Sequence, residues 1–494
     1  MLIPTQRAMK ALNVEFAKLQ SLFADKNVDG SAALSITVTL QTMLNRELGG
    51  AAAMHEQFAR LDALLAQVAA LAQGDAAIVA DIGALRAAVG TTKAEQAFAE
   101  LDTRRFDILG RFQALMTRLV VAPAINAGDK HAIAKRIVAW ESAELLKEAA
   151  VGESDATPDQ AVDVTADNLT AYLRDRFAEP TMALTMFQPL AGGFGKQTIL
   201  FAVAGKAISG EFVMRRDMGK TSILENDCHM CRDEFPVINA ARKRGFPAPE
   251  GLWLDTEHKL LPGGDFFVMR RSVGTLPGNF FGARTAVPAS LTDALADIMA
   301  RLHTLPPLTE LGDLTDSIRE EWWNLSKGEC TERYIRGWYD MYLRCTVVPS
   351  PSVVAIFGWL LDNLPDRKGK PSMLHGDIGF HNFLFHEEKL SAALDWEFAH
   401  IGDPAEELGM VRVTTGASID WDQLMTRYLA GGGEPVDEKT LRFFQVWGYA
   451  RNAAAAQLAT SLFVNGADEL KLNFLPYAHF PNFIRFAQAL IDEA

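Results

Sequence analysis

The sequence predicts an α+β chain, in which an all-α helical bundle precedes a larger domain built first of strands and then mostly of helices. Three observations carry this. Residues 1–150 are rich in Ala, Leu and Gln, and they hold one tryptophan of nine, Trp140, and two prolines, Pro4 and Pro123. Their apolar residues recur at intervals of three and four, the spacing of an amphipathic helix. From about residue 183 the pattern changes to short apolar runs separated by Gly- and Pro-bearing turns, the mark of strands. At 494 residues the chain is too long for one ordinary core, so two or three domains are expected.

In chain order, DGSAALSITVTLQTMLNRELGG reads as a helix capped near Ser31 and stopped at Gly49–Gly50. Phe58, Leu61, Leu64, Leu65, Val68 and Leu71 form one helical face. Three to five such helices would pack as a bundle over residues 1–150. The small, polar and acidic segment 151–163 reads as a linker. The second domain then covers 164–494, with a sheet-bearing part to about 270 and a mostly helical part from 271. ALTMFQPL, TILFAVAG and EFVMRRD are strand candidates. DEFPVINAARKRG is a helix closed by Gly245, with Pro247 just beyond. EGLWLDTE and DFFVMRRS are strands on either side of the turn PGGD. Together they suggest a mixed sheet carrying one helix. From Leu291 the pattern is helical, interrupted by MLHGDIGFHNFLF and LSAALDWEF.

Composition narrows the function classes. The net charge is −14. Residues 1–150 are neutral, with 16 basic and 16 acidic side chains, so the remainder carries the whole balance with 32 basic and 46 acidic. Such a surface disfavours nonspecific nucleic-acid binding and permits a cationic substrate. No window approaches 18 uninterrupted apolar residues, and MLIPTQRAMKALNVEF lacks the charged and apolar regions of a signal peptide. The expectation is a cytoplasmic protein without a membrane or nucleic-acid partner. Four cysteines are no disulfide scaffold. Cys228 and Cys231, with His229 between them, could be half a zinc site. No second ligand pair follows at zinc spacing, so they read instead as small residues near a helix start.

The polar group inside MLHGDIGFHNFLF is the part of the sequence that most suggests chemistry. Asp377 and Asn382 lie five residues apart, and Asp395 follows in AALDWEFAHIGDP. A carboxylate beside a hydroxyl can accept its proton. An amide oxygen and a second carboxylate can hold Mg²⁺, a hard ion that prefers oxygen and keeps several waters. Phosphoryl transfer needs such parts, together with a cradle for nucleotide phosphates. Upstream, LAGGFGKQTILF places glycines between two strand candidates, where backbone N–H groups can face phosphate oxygens. It is not a Walker A loop, since Gln197 follows Lys196.

LHGDIGFHNFLF…LDWEFAHIGDP resembles the catalytic core of the aminoglycoside phosphotransferase/choline kinase-like family, in which H-G-D-x-x-x-x-N and D-x-[DE] replace the protein-kinase H-R-D-x-x-x-x-N and D-F-G. The resemblance covers roughly 165–460 and implies a bilobal protein kinase-like domain that uses ATP and Mg²⁺. It makes Asp377 the catalytic base and Asn382 and Asp395 the magnesium ligands. His375 would orient the loop, and Asp403 would fix the backbone behind it. His381 would line the substrate site or sit on a turn at the rim. Glu397 would assist the metal through water or stay solvated. Gly192 and Gly193 would cradle phosphates. Arg215 stands where the family carries a phosphate-gripping lysine, with Glu234 as its ion-pair partner, and Met269–Arg271 would be the adenine-contacting hinge. VMRR, GFPAPEGLWL and FFVMRRSVG resemble the branch related to the kinase-like domain of some acyl-CoA dehydrogenases.

These readings imply an ATP- and Mg²⁺-dependent phosphotransferase acting on a small-molecule hydroxyl. The branch points to a hydroxyacyl-CoA, with an aminoglycoside, choline or a sugar as alternatives. Arg215 in place of lysine also leaves open a catalytically weak pseudokinase that binds or regulates. ALSITVTLQTMLNREL faintly resembles the helical accessory proteins of some such kinases. The N-terminal bundle is expected to serve as an accessory or an oligomerisation domain, and in the second case the protein would be a homo-oligomer.

Overall fold

The structure, a computed structural model, describes residues 30–91, 98–148, 164–190, 196–217, 230–257, 264–277, 286–308, 311, 318–387, 389–464 and 479–494, with the backbone alone for 30–49. The chain folds into two compact units. The first comprises Met1–Pro158, Trp338–Leu364 and Val446–Ala494, and the second Asp159–Gly337 and Pro365–Gln445.

In the first unit, helix α1 (Gly30–Leu71) is broken at Gly50, whose φ of 52° and ψ of −157° are not helical. The stop expected at Gly49–Gly50 is thus a kink, after which the helix resumes. Without a Cβ, glycine adopts this conformation at little cost. The face of Phe58, Leu61, Leu64, Leu65 and Val68 is buried. Helices α2 (Ala76–Gly90), α3 (Phe98–Val121) and α4 (Ala127–Glu148) pack with it. The start of α2 is fixed by Asp75, whose carboxylate accepts from the Ala77 and Ile78 N–H groups.

The sequence division at 151–163 assigns every later residue to the second domain, whereas two later segments lie in this first unit. Helix α9 (Pro351–Asp362) packs on α3 and α4, and helix α13 (Phe480–Asp492) packs on α4 and α9. α9 approaches α3 so closely that a Cβ at Gly358 would stand 2.6 Å from Val120 Cβ. Polar ties bind the same segments. The Glu141 carboxylate accepts from the Ser352 N–H at 3.0 Å, and Gln113 Oε1 accepts from Ser350 N and from the Tyr342 hydroxyl. Most of α9 is apolar, and nothing in its own sequence says which helices cover it.

The second unit opens with α5 (Ala166–Arg176), begun by a reciprocal capping box between Thr165 and Asn168. Then come β1 (Ala183–Leu190), β2 (Lys196–Ala204), β3 (Gly210–Asp217), α6 (Cys231–Lys243), β4 (Gly251–Asp255) and β5 (Phe266–Arg270). The strand order is β1-β2-β3-β5-β4, and every pair is antiparallel. This corrects the mixed sheet expected from the sequence. Short hairpins join β1 to β2 and β2 to β3, and the alternation of apolar residues defines faces without fixing strand direction. Ile199, Phe201, Val203, Phe212 and Met214 pack against Leu169, Tyr172 and Leu173 of α5. The other face is left to Thr198 and Arg215, which pair across β2 and β3, and to Lys196 and Asp217 one rung further.

The remainder is mostly helical, as the resemblance implies for a second lobe: α7 (Ala289–His303), α8 (Lys327–Cys345), α10 (Ala405–Thr415), α11 (Trp421–Ala430) and α12 (Glu438–Val464). The unit boundaries fall within α8 and α12. Two small antiparallel pairs interrupt these helices. One joins β6 (Ser372–Leu374) to β9 (His400–Gly402), and the other joins β7 (Phe383–His386) to β8 (Lys389–Ala393). Among the described residues no helix is long and apolar enough to cross a membrane.

Candidate active site

All described candidate residues lie in the second unit. Two loops carry the polar groups: the one from β6 to β7, with His375, Asp377, His381 and Asn382, and the one from β8 to β9, with Asp395 and Glu397.

The first loop is held from beneath. Gly376 has a φ of +78°, and a Cβ there would stand 2.0 Å from the Phe398 carbonyl oxygen, so only glycine fits. Glu407 Oε1 accepts from the His375 N–H at 2.6 Å and from the Gly376 N–H at 3.0 Å. Its other oxygen pairs with His303 Nε2 at 2.7 Å, and His303 Nδ1 meets the Tyr428 hydroxyl at 2.9 Å. Burial alone would raise the Glu407 carboxyl, but His303 and the Gly376 N–H hold it below the usual carboxylate range. Its stabilising effect is therefore complete above the unfolded value near 4.5 and fades as pH falls. Sequence reasoning missed Glu407, although a carboxylate inside the apolar run of AEELGMV was a usable signal. Glu407→Ala leaves two N–H groups and a histidine unpaired in the interior. We expect a loss of about 3–5 kcal/mol, read by urea unfolding at pH 7.

His375 links the two loops. Its Nε2 donates to the Leu394 carbonyl at 2.8 Å, and its Nδ1 accepts from the Asp377 N–H at 3.4 Å, which fixes the neutral Nε2–H tautomer. The Leu394 N–H donates to the Asn382 carbonyl at 2.7 Å, so the residue before Asp395 is tied directly to Asn382. Asn382 Nδ2 donates to the Asp377 carbonyl and to Asp377 Oδ2, each at 2.9 Å. Those bonds commit its amide nitrogen and leave the amide oxygen as its acceptor. His381 Nε2 lies 3.2 Å from Asp377 Oδ2. Burial opposes a charge on His381, but the bond and charge of Asp377 prevail and raise its pKa above the ordinary histidine value. Asp403 is buried, accepts the fork of Arg367 at 2.7 and 3.2 Å, and caps Ala405 N at 3.0 Å.

Asp395 has a φ of +63°, a left-handed conformation that aspartate tolerates better than most residues. Arg215 Nη2 donates to Asp395 Oδ1 at 2.6 Å and lies 3.5 Å from Glu397 Oε2, while its Nε stands 3.5 Å from Glu234 Oε2. The pairing of Arg215 with Glu234 expected from the sequence is thus present. Lys196 was not expected here. Its Nζ lies 2.8 Å from Glu234 Oε2 and 3.1 Å from Glu397 Oε2, closer to both than Arg215. The contacts at Glu234 Oε2 are Coulombic rather than aligned hydrogen bonds, and Arg215 Nε also lacks an aligned partner among the described residues. Glu234 Oε1 accepts from Trp396 N at 3.2 Å, so α6 is fastened to the residue after Asp395.

Two cations therefore face three carboxylates, Glu234, Asp395 and Glu397. Burial and the neighbouring Asp395 push the Glu397 carboxyl up to about 7. An amide oxygen such as that of Asn382 and a carboxylate such as that of Asp395 are the hard oxygen donors that Mg²⁺ prefers, so the chemistry of the pair fits that ion. Among the described residues no group of three His, Cys, Asp or Glu side chains could hold a metal, and Cys231 is a buried free thiol. Cys228, Gly192 and Gly193 lie outside the described residues. Met269 lies on β5 opposite Val213 and Gly251, one residue before the strand ends.

Asp233 sits beside this cluster, in the first turn of α6, and burial pushes its carboxyl up to about 6. The folded protein then holds a proton that the unfolded chain releases near 3.8, so stability falls as pH rises through that window. Asp233→Asn should gain roughly 1–3 kcal/mol over the wild type at pH 7 and lose the advantage near pH 4. Thermal unfolding of both proteins at the two pH values checks this.

Several known proteins are similar to this chain. Acyl-CoA dehydrogenase family member 11 from Homo sapiens is 28% identical over 278 residues, 53% of this chain and 33% of its own length. This chain thus spans about a third of such relatives. Viomycin phosphotransferase from Streptomyces vinaceus is 35% identical over 77 residues, 15% of this chain and 24% of its own. A solved structure from Ralstonia eutropha, described as a putative aminoglycoside phosphotransferase, is 17% identical, covers 67% of this chain and 99% of its own, and has a TM-score of 0.49. The family model described as phosphotransferase enzyme family matches residues 187–444, just over half of the chain. That match runs from β1 into α12 and takes in every candidate residue from Lys196 to Glu407, and by it the chain belongs to the phosphotransferase enzyme family.

Proposed function

We propose that this chain is an ATP- and Mg²⁺-dependent kinase that phosphorylates a small-molecule hydroxyl, and that its acceptor is a hydroxyacyl-CoA. The observation that supports transfer best is the joining of the two loops: Asn382 donates to Asp377 from its side chain and accepts from Leu394 N through its carbonyl. A base and two oxygen ligands are thereby held in fixed relation before any substrate arrives, which is the preorganisation phosphoryl transfer relies on.

In this reading Asp377 accepts the acceptor's hydroxyl proton as that oxygen attacks the terminal phosphorus of ATP. The new O–P bond forms while the bond to the ADP oxygen breaks. Asn382 holds the Asp377 carboxylate in its orientation by donating to Oδ2. Asn382 and Asp395 would hold Mg²⁺, which neutralises phosphate charge when bound. Arg215 and Glu234 position Asp395, and Gly192 and Gly193 would cradle the phosphates. Met269 would lie at the adenine edge.

The acceptor rests on the relatives named as acyl-CoA dehydrogenases. A kinase region that shares a chain with such an enzyme would meet the same carrier. The clasp of Arg215 on Asp395 favours a second reading, a nucleotide-binding protein of weak activity. Incubation with ATP, Mg²⁺ and a panel of hydroxyacyl-CoA, aminoglycoside, choline and sugar, analysed by mass spectrometry, separates these. A CoA ester heavier by one phosphoryl group is expected. Phosphorylation of another acceptor alone would remove the CoA assignment, and ATP binding without any transfer would favour the second reading.

A further inference from the structure

The sequence places one cation at the nucleotide phosphates, Arg215. We infer that Lys196, from the neighbouring strand, is the phosphate-binding cation and that Arg215 serves chiefly to position Asp395. This rests on the kinase reading above and assigns two residues within it.

The strand register makes Lys196 available. In the antiparallel β2–β3 ladder Thr198 faces Arg215 and Lys196 faces Asp217. Residues two apart on a strand share a face, so Lys196 is the diagonal neighbour of Arg215 on the side turned away from the α5 core. It is also the first residue of β2, immediately after the glycine-rich turn 191–195.

The partners divide the work. Arg215 spends Nη2 on Asp395 at 2.6 Å, the shortest contact of the cluster, so its fork is directed at the candidate metal ligand. Lys196 makes no contact with Asp395 among its ion pairs; it touches Glu234 and Glu397. An ammonium has three N–H donors, and two carboxylate partners leave one for a further oxygen. Glu234 holds both cations from the buried side and is itself anchored to Trp396 N, so the ammonium is fixed in place rather than free on its four-carbon stem. Burial disfavours charge on Lys196, but Glu234 and Glu397 outweigh it and keep the ammonium protonated.

The test is equilibrium binding of ATP, AMP and adenosine to the full chain by calorimetry with Mg²⁺ present. Lys196→Met is expected to weaken ATP roughly 10–100-fold, the worth of one charge-assisted bond, with adenosine little changed. Lys196→Arg should recover part of the loss. Because Lys196→Met leaves a buried carboxylate with less compensation, the double variant Lys196→Met/Glu234→Gln is measured too, and the same selective loss is expected. ATP and adenosine weakening in parallel would make Lys196 a structural ion-pair member and overturn the inference, as would unchanged ATP affinity. A loss of ATP affinity confined to Arg215→Met would return the phosphate role to Arg215. A wild-type chain that binds no ATP overturns the kinase reading itself, and this inference with it.

Discussion

Asp377→Asn is expected to slow phosphoryl transfer by roughly 10²–10⁴-fold, the usual worth of a positioned general base, while ATP affinity stays nearly unchanged. The substitution suits the site because it preserves shape. Asn382 Nδ2 donates to Asp377 Oδ2, and an amide oxygen can accept that bond equally well. The Asp377 N–H would still reach His375 Nδ1. Basicity is removed, together with the negative charge that faces His381. Single-turnover kinetics with a saturating acceptor read the chemical step, and calorimetry reads ATP separately. Turnover near that of the wild type would take Asp377 out of the proton-accepting role.

Removal of residues 1–150 should leave an aggregating remainder rather than a smaller working enzyme. Val353, Val354, Ile356, Phe357 and Leu360 of α9, and Phe480, Ile484 and Ile491 of α13, are buried in the unit to which the N-terminal helices belong. Each such side chain is worth about 1.5–3 kcal/mol when covered. Exposing several of them exceeds the roughly 5–15 kcal/mol that holds a whole domain folded. Expression of 151–494, followed by light scattering and circular dichroism, checks this. A soluble fragment with one cooperative transition would show that the helices are dispensable.

These cases also show what the sequence could reveal. The catalytic loop was legible because its chemistry is local: His375, Gly376, Asp377 and Asn382 lie within eight residues. Strand and helix positions followed from periodicity, which depends on near neighbours. Lys196 was not legible. Its partners are Glu234 and Glu397, the second 201 residues away, and the residue had been weighed only against the Walker A pattern. Glu407 serves backbone N–H groups 31 and 32 residues upstream; its place in an apolar run marks it as buried but does not report which groups it binds. The covering of α9 was hidden for the same reason, since it depends on which distant segment comes to lie alongside; the antiparallel direction of β1, β2 and β3 was implied by their short connections.

The discontinuous first unit also bears on how the chain is made. A ribosome adds about 5–20 residues per second, so roughly 20–70 s separate the emergence of residue 150 from that of α13. Until α9 and then α13 emerge, α3 and α4 exist without the later helices that pack on them. The segment that carries the candidate active site is synthesised in between and has its own core, so it can fold first. The N-terminal helices must wait, and a nascent chain in that state is a natural client for holding chaperones.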